Sequence, residues 1–216
     1  MKPPARAALL VGAALLFPGW WAAARAEAPA FDYYVLSLSW SPQYCASQGG
    51  RSDALQCAGE RRYGFVLHGL WPQYARGGWP DSCIVPAPPL SAAIIASMLP
   101  IQPAEGLIRH EWARHGTCSG MDAGRYFETA SRAYRSIAIP AAYRDPGRYL
   151  ATSPARLTAD FAAANPGLTA EAITAVCAKQ YLVELRLCLG KDLKPARCGA
   201  GLRSQCGETV VLRPAR

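Results

Sequence analysis

Histidine is scarce in this sequence. Three occur among 216 residues, at positions 68, 110 and 115, and two of them fall within one nine-residue stretch. No Cys-x-x-Cys pair is present, which argues against a zinc ribbon. No glycine-rich loop follows a strand-like run, so no nucleotide cofactor is indicated. No block of Lys and Arg is dense enough to serve as a nucleic-acid-binding arm. Internal repeats and long linkers are missing too. Charged residues make up only 18%, against 51% apolar, a balance that excludes wholesale disorder. The length suffices to bury a sizeable core.

Lys2 and Arg6 make a basic start. An apolar run from Ala7 to Trp21 follows, interrupted by Pro18, and Ala24-Arg25-Ala26 fits a small-x-small cleavage site. This order reads as a secretory signal peptide over residues 1–26, leaving residues 27–216 as one domain. The alternative, an uncleaved membrane anchor, suits the run poorly, because it is short for a span and broken near its end. The leader carries three basic residues and no acid, so its removal takes the formal net charge from +8 to about +5. That mildly basic balance suits an anionic substrate without naming it. Eight cysteines remain, at 45, 57, 83, 118, 177, 188, 198 and 206. An even number behind an export signal implies four disulfides in an oxidising compartment, with the pairing left open.

Phe31–Trp40 reads as a strand, with Val35, Ser37 and Ser39 on one parity. Residues 41–61 are polar and read as loop. Tyr63–Leu67 reads as a second strand that delivers His68 at its end. Residues 71–89, with five prolines, read as an irregular loop of the kind that carries binding groups. Helices are predicted over Leu90–Leu99 with Ser91 near its start, over Glu105–His115 ended by Gly116, and over Asp122–Ile137. Another runs from Ser153-Pro154 to Ala164. Thr169–Lys179 opens with T-A-E and is read as a further helix. Tyr181–Leu189 alternates Val183, Glu184, Leu185, Arg186 and Leu187, the best strand pattern in the chain, and Val210–Leu212 is a short last strand. Helices in the middle with strands on either side argue for an α+β fold.

Two segments concentrate the chemistry. In Phe65–Gln73, F-V-L-H-G-L-W-P-Q, a histidine is followed by Gly69, which permits a close backbone approach, and by Pro72, which stiffens the exit. Trp71 offers a flat face on which a base or sugar can stack. Taken alone, His68 reads more readily as a hydrogen-bonded core histidine. The second segment is His110–Cys118, H-E-W-A-R-H-G-T-C. On a helix Glu111 and His115 are i and i+4, as are His110 and Arg114, and the four cover an arc of roughly 140°. One broad face thus carries two imidazoles, a carboxylate and a guanidinium; the plain alternative is a solvated face with an ordinary ion pair. The two histidines are five apart rather than the four of the zinc-protease pattern, so they do not converge on one ion and no metal site is expected. Two histidines in complementary protonation states act as base and acid together, and the Arg114 fork suits phosphate oxygens. No serine or cysteine nucleophile is evident beside a base. The set fits phosphoryl transfer in which the substrate brings its own nucleophile, as RNA does with its 2′-OH.

H-G-L-W-P at 68–72 and H-E-W-x-x-H-G-T-C at 110–118 resemble the two active-site segments of the ribonuclease T2 family, and L-S-W-S-P-Q-Y-C at 38–45 resembles the first strand of its bacterial members. The resemblance implies an α+β fold in which helices pack around a central antiparallel sheet braced by disulfides. It implies metal-independent endonucleolytic cleavage of single-stranded RNA to 2′,3′-cyclic phosphates, then hydrolysis to 3′-phosphates, with no cofactor. By motif position His115 resembles the general base and His68 the general acid. Glu111 and Arg114 would stabilise the phosphorane-like state, and His110 would bind phosphate. The family usually has Lys where this chain has Arg114, which puts rate and pH profile in question. Trp71, Trp79 and Gln73 fall at base-binding positions, although members often carry Asp where Gln73 stands. The resemblance pairs Cys83 with Cys118, tying the two segments together, and Cys177 with Cys206 around Cys188 and Cys198; Cys45 and Cys57 then remain. It implies an RNA substrate and an exported monomer, periplasmic or secreted, with no membrane span in the mature chain. The competing readings are a phosphodiesterase for small substrates, a catalytically silent RNA-binding relative and a disulfide scaffold.

Overall fold

The structure, a computed structural model, describes residue 1 and residues 30–47 and 53–215. Beyond Met1, the leader reading over residues 1–26 lies outside the described residues. Strand β1 (Tyr33–Trp40) is followed by two short helices, α1 (Ser41–Cys45) and α2 (Ala54–Cys57), and by β2 (Phe65–Gln73). Helices α3 (Ala92–Met98), α4 (Glu105–Arg114) and α5 (Ala123–Ser136) come next. Then come β3 (Leu150–Thr152), α6 (Pro154–Ala164), β4 (Ile173–Ala178), β5 (Tyr181–Leu189) and β6 (Val210–Leu212). The sheet runs β2-β1-β5-β6-β3, with β4 also paired to β5. Four of its strand pairs are antiparallel, and one parallel junction, Tyr181 opposite Val211, makes it mixed.

The alternation in β1 splits the molecule. Tyr34, Leu36, Leu38 and Trp40 enter the main core, where Tyr126, Phe127 and Ala130 of α5, Ile108 and Trp112 of α4 and Phe161 of α6 meet them. Tyr33, Val35, Ser37 and Ser39 line the opposite face. The helix starts follow local chemistry: the Ser91, Asp122 and Ser153 side chains accept from the amides of Ile94, Arg125 and Arg156. Among the described residues no helix is long and apolar enough to cross a membrane.

Three sequence expectations need correction. First, β2 does not stop at His68 but runs to Gln73, so residues 71–73 belong to the sheet. Pro72 is tolerated because β2 lies at the sheet edge, where a missing N–H leaves no ladder partner unbonded. Second, Thr169–Lys179 is not a helix. The T-A-E start makes one 3-10 turn, Ala170–Ala172, and then β-branched Ile173, Thr174 and Val176 pair with β5. Third, residues 41–61 hold α1 and α2, joined by the Cys45–Cys57 disulfide.

The other disulfides are Cys83–Cys118, Cys177–Cys206 and Cys188–Cys198. Cys83–Cys118 ties the loop after β2 to the turn after α4. Hydrogen bonds from Ser82 N to the Arg114 carbonyl (2.9 Å) and from Cys83 N to Thr117 Oγ1 (3.2 Å) reinforce it. Its half-cystines are 35 residues apart. Replacing both by serine should therefore destabilise the fold by about 4 kcal/mol, through loop-closure entropy. Urea midpoints of wild type and double variant check this; an unchanged midpoint would mean that the surrounding hydrogen bonds suffice.

Candidate active site

A bulge builds the first half of the site. The β1–β2 register runs Leu38 opposite Leu67 and then Ser37 opposite Gly69, so His68 is an extra residue in β2. Before it Phe65 and Leu67 face the main core; after it Leu70 does. His68 alternates onto the opposite face, and the extra residue brings Trp71 there too, where unbroken alternation would have sent it inward. On that face His68 Nδ1 lies 2.7 Å from Glu184 Oε1 and 3.3 Å from Ser39 Oγ. Its carbonyl accepts from Gln102 Nε2 at 2.7 Å.

Helix α4 supplies the second half. Trp71 Nε1 donates to Glu111 Oε2 at 2.6 Å, and Glu111 Oε1 is 3.6 Å from His68 Nε2. This approach requires Gly69: a Cβ there would collide with the Glu111 carboxylate and the Trp71 indole nitrogen. His115 caps the C-terminal end of α4, its N–H donating to the Glu111 carbonyl at 3.0 Å. Trp71 touches both imidazoles, with ring centroids 5.2 Å from His68 and 5.3 Å from His115.

The environment drives the two imidazoles apart. Burial lowers His115 to about 4, helped by the Arg114 charge. Its Nδ1 is buried and has no hydrogen-bond partner among the described residues. Burial also works against a charged His68, but the hydrogen bond to Glu184 and the charges of Glu184 and Glu111 outweigh it and raise His68 above its ordinary value. Burial raises Glu111 to about 7 despite the nearby His68. Burial likewise opposes ionised Glu184, yet His68 and Arg186 hold it near 2. Between about 4 and 7, His115 and much of Glu111 are neutral. Where His68 is protonated, it and Arg186 outnumber ionised Glu184, which leaves net positive charge for an anion.

The remaining candidates stand further out. Arg114 Nη2 is paired with Asp81 Oδ2 at 2.6 Å, both half-exposed, so its charge reaches Glu111 and His115 through space. His110 is exposed on α4, and its charge too is felt at His115. Trp79 is half-exposed in the loop beyond β2. Gln73 is buried, its amide donating to the Pro72 carbonyl at 3.0 Å, so it is not turned outward to a base. The sequence singles out neither Glu184 nor Arg186, which read only as β5 alternation. The available signal was two opposite charges at i and i+2, and so on one sheet face, between leucines that face the core.

Ser39, His68 and Glu184 look at first like a serine-nucleophile triad. They are not one: Ser39 and Glu184 both approach Nδ1, whereas a triad needs the hydroxyl on one ring nitrogen and the carboxylate on the other. No cluster of three or more His, Cys, Asp and Glu suited to a metal occurs among the described residues. An α+β fold thus brings two imidazoles with oppositely shifted proton affinities together beside a raised carboxyl. The chain belongs to the Ribonuclease T2 family, whose model matches residues 31–198.

Its relatives include a ribonuclease of Aeromonas hydrophila, 46% identical over 108 residues, covering 50% of this chain and 47% of that protein. A probable ribonuclease of Haemophilus influenzae is 36% identical over 126 residues, covering 53% and 46%. The chain thus spans about half the length of these two curated relatives. Ribonuclease I of Escherichia coli matches at 28% identity over 86% of this chain and 87% of that protein. Among solved structures, an RNase-related protein from Calystegia sepium superposes with a TM-score of 0.71 at 24% identity, covering 87% of this chain and all of that one. RNase NT in complex with 5′-AMP gives 0.65 at 21%, covering 86% and 100%. Both show the same fold.

Proposed function

We propose that the protein is an exported, metal-independent endoribonuclease acting on single-stranded RNA. The observation that carries this reading is the pair of imidazoles against Trp71, one biased towards the free base and the other towards the cation. Neutral His115 takes the proton of a 2′-OH, O2′ attacks the adjacent phosphorus, and the P–O5′ bond breaks. His68 gives the Nε2 proton to the leaving 5′-oxygen. The product ends in a 2′,3′-cyclic phosphate. In the second step the roles reverse: His68 accepts a proton from water, the water oxygen attacks phosphorus, the P–O2′ bond breaks, and His115 returns a proton to the leaving O2′, giving a 3′-phosphate.

Glu111 below its pKa of about 7 is a donor rather than a repelling anion. Its O–H can therefore bond the phosphoryl oxygen as charge builds there. Arg114 adds positive potential, reduced by Asp81, and His110 offers a phosphate contact at the same end of α4. Trp71 and Trp79 are the candidate stacking surfaces; Gln73 serves a base edge only if its amide leaves Pro72. The working molecule is a monomer in the periplasm or outside the cell.

The test is digestion of unlabelled RNA by the oxidised mature protein in excess EDTA, with mass analysis of the ends. Fragments ending in 2′,3′-cyclic phosphate, converting slowly to 3′-phosphate, are expected. An absolute requirement for divalent metal, or cleavage of small phosphodiesters alone, would overturn the proposal.

A further inference from the structure

Glu184 is a buried carboxylate that the proton-transfer scheme does not use. It projects from β5, 6% exposed, between core residues Leu182 and Leu185. Burying a carboxylate is unfavourable unless its oxygens are bonded. Here both are. Oε1 accepts from His68 Nδ1 at 2.7 Å; Oε2 accepts from Arg186 Nε at 2.9 Å, with Arg186 Nη2 at 2.8 Å. With both oxygens engaged, Glu184 acts through His68 rather than by touching the substrate.

We infer that Glu184, clamped by Arg186, is the positioning residue that keeps the His68 proton-donor nitrogen facing the reacting phosphate. The inference rests on the proposed acid role of His68. A carboxylate on Nδ1 fixes a proton there and leaves Nε2, on the Glu111 side, as the nitrogen that exchanges protons with a leaving group. It also holds the ring against rotation. Arg186 keeps the carboxylate ionised and its guanidinium lies over the Trp71 ring at 5.2 Å, so the clamp also abuts the ring that meets both imidazoles.

The groups facing His68 come from four elements: Ser39 on β1, Trp71 on β2, Glu111 on α4, and Glu184 with Arg186 on β5. His115 feels the His68 charge from beyond Trp71. Of these, Glu184 alone accepts a short bond from the ring and is ionised throughout the working range. Removing its charge should therefore lower the proton affinity of His68, whereas removing Arg186 should raise it.

The experiment pairs NMR titration of the His68 ring with the pH dependence of RNA cleavage. In Glu184→Gln the His68 midpoint should fall by about one unit or more, and the alkaline limb of kcat/KM should move with it. The value of kcat at the optimum should drop about 10- to 100-fold, the scale found when a carboxylate that orients a metal-bound histidine is removed, with KM little changed. Arg186→Gln should move the midpoint the other way. An unmoved midpoint in a folded Glu184→Gln protein would overturn the inference even if RNA is still cleaved. A shifted midpoint in a protein that cleaves no RNA would leave the inference standing and remove the ribonuclease reading. If Glu184→Gln does not fold, the wild type decides: the neutral ring should keep its proton on Nδ1, and a proton on Nε2 overturns the inference.

Discussion

Replacing His115 by alanine should lower RNA transphosphorylation by about 10³-fold, the scale for losing the general base proposed above. It should do so with little loss of stability. His115 caps α4 with its backbone, which alanine retains, and its Nδ1 has no partner among the described residues, so truncation orphans no hydrogen-bonding group there. His68→Ala should cost activity similarly but stability more, because Glu184 and Glu111 lose a nearby cation and Glu184 keeps only Arg186. The double variant should be scarcely slower than either single one, since the proposed scheme assigns the two imidazoles one proton exchange. Single-turnover cleavage of a short RNA with urea unfolding of each variant checks this; near-normal cleavage by a folded double variant would sink the assignment.

The same pair sets the pH dependence. The base must be neutral, so kcat/KM rises as pH increases through the His115 value of about 4. The acid must be protonated, so the rate falls as pH increases past the raised His68 value, above 6.5. Glu111, near 7, loses its donor proton on that same alkaline side. The expected profile is a bell with its plateau in acid. A maximum well above neutrality would contradict the roles given to the two histidines.

Much of this was legible in the residues. The helix starts at Ser91, Asp122 and Ser153 depend on a neighbour three residues away, and the β5 alternation is equally local. Two rare strings singled out His68, Glu111 and His115, which the fold brings together around Trp71. What escaped depended on pairing across the chain. Ile173–Ala178 is a strand because β5 lies beside it, whereas the T-A-E at 169–171 just before it points to a helix start. The bulge at His68 is a mismatch between two strands and is invisible in either one. Glu184 is separated from His68 by 116 residues, so only the sheet order β2-β1-β5 makes them neighbours. The Arg114–Asp81 pair likewise needs the fold of the loop after β2.

Gly69→Ala tests whether the contact between β2 and α4 is as tight as function requires. Gly69 is not in the left-handed region, so alanine meets no backbone penalty and the effect is steric. A Cβ at this position would stand 2.8 Å from the Glu111 carboxyl carbon and would also collide with the Trp71 indole nitrogen. Both groups are tethered: Glu111 is buried, and the Trp71 Nε1 bond to it is 2.6 Å long. The methyl group must therefore break that bond or push α4 outward. Overpacking and a lost hydrogen bond together should cost about 2–4 kcal/mol of stability. With Glu111 displaced from the phosphoryl oxygen, kcat should fall about 10²-fold, the scale for losing one transition-state donor. Trp71→Phe separates the two causes, since it deletes the N–H but adds no bulk; it should reproduce most of the kcat loss with a smaller shift in urea midpoint. A Gly69→Ala protein of normal activity would mean that Glu111 acts from a position other than the one Trp71 holds.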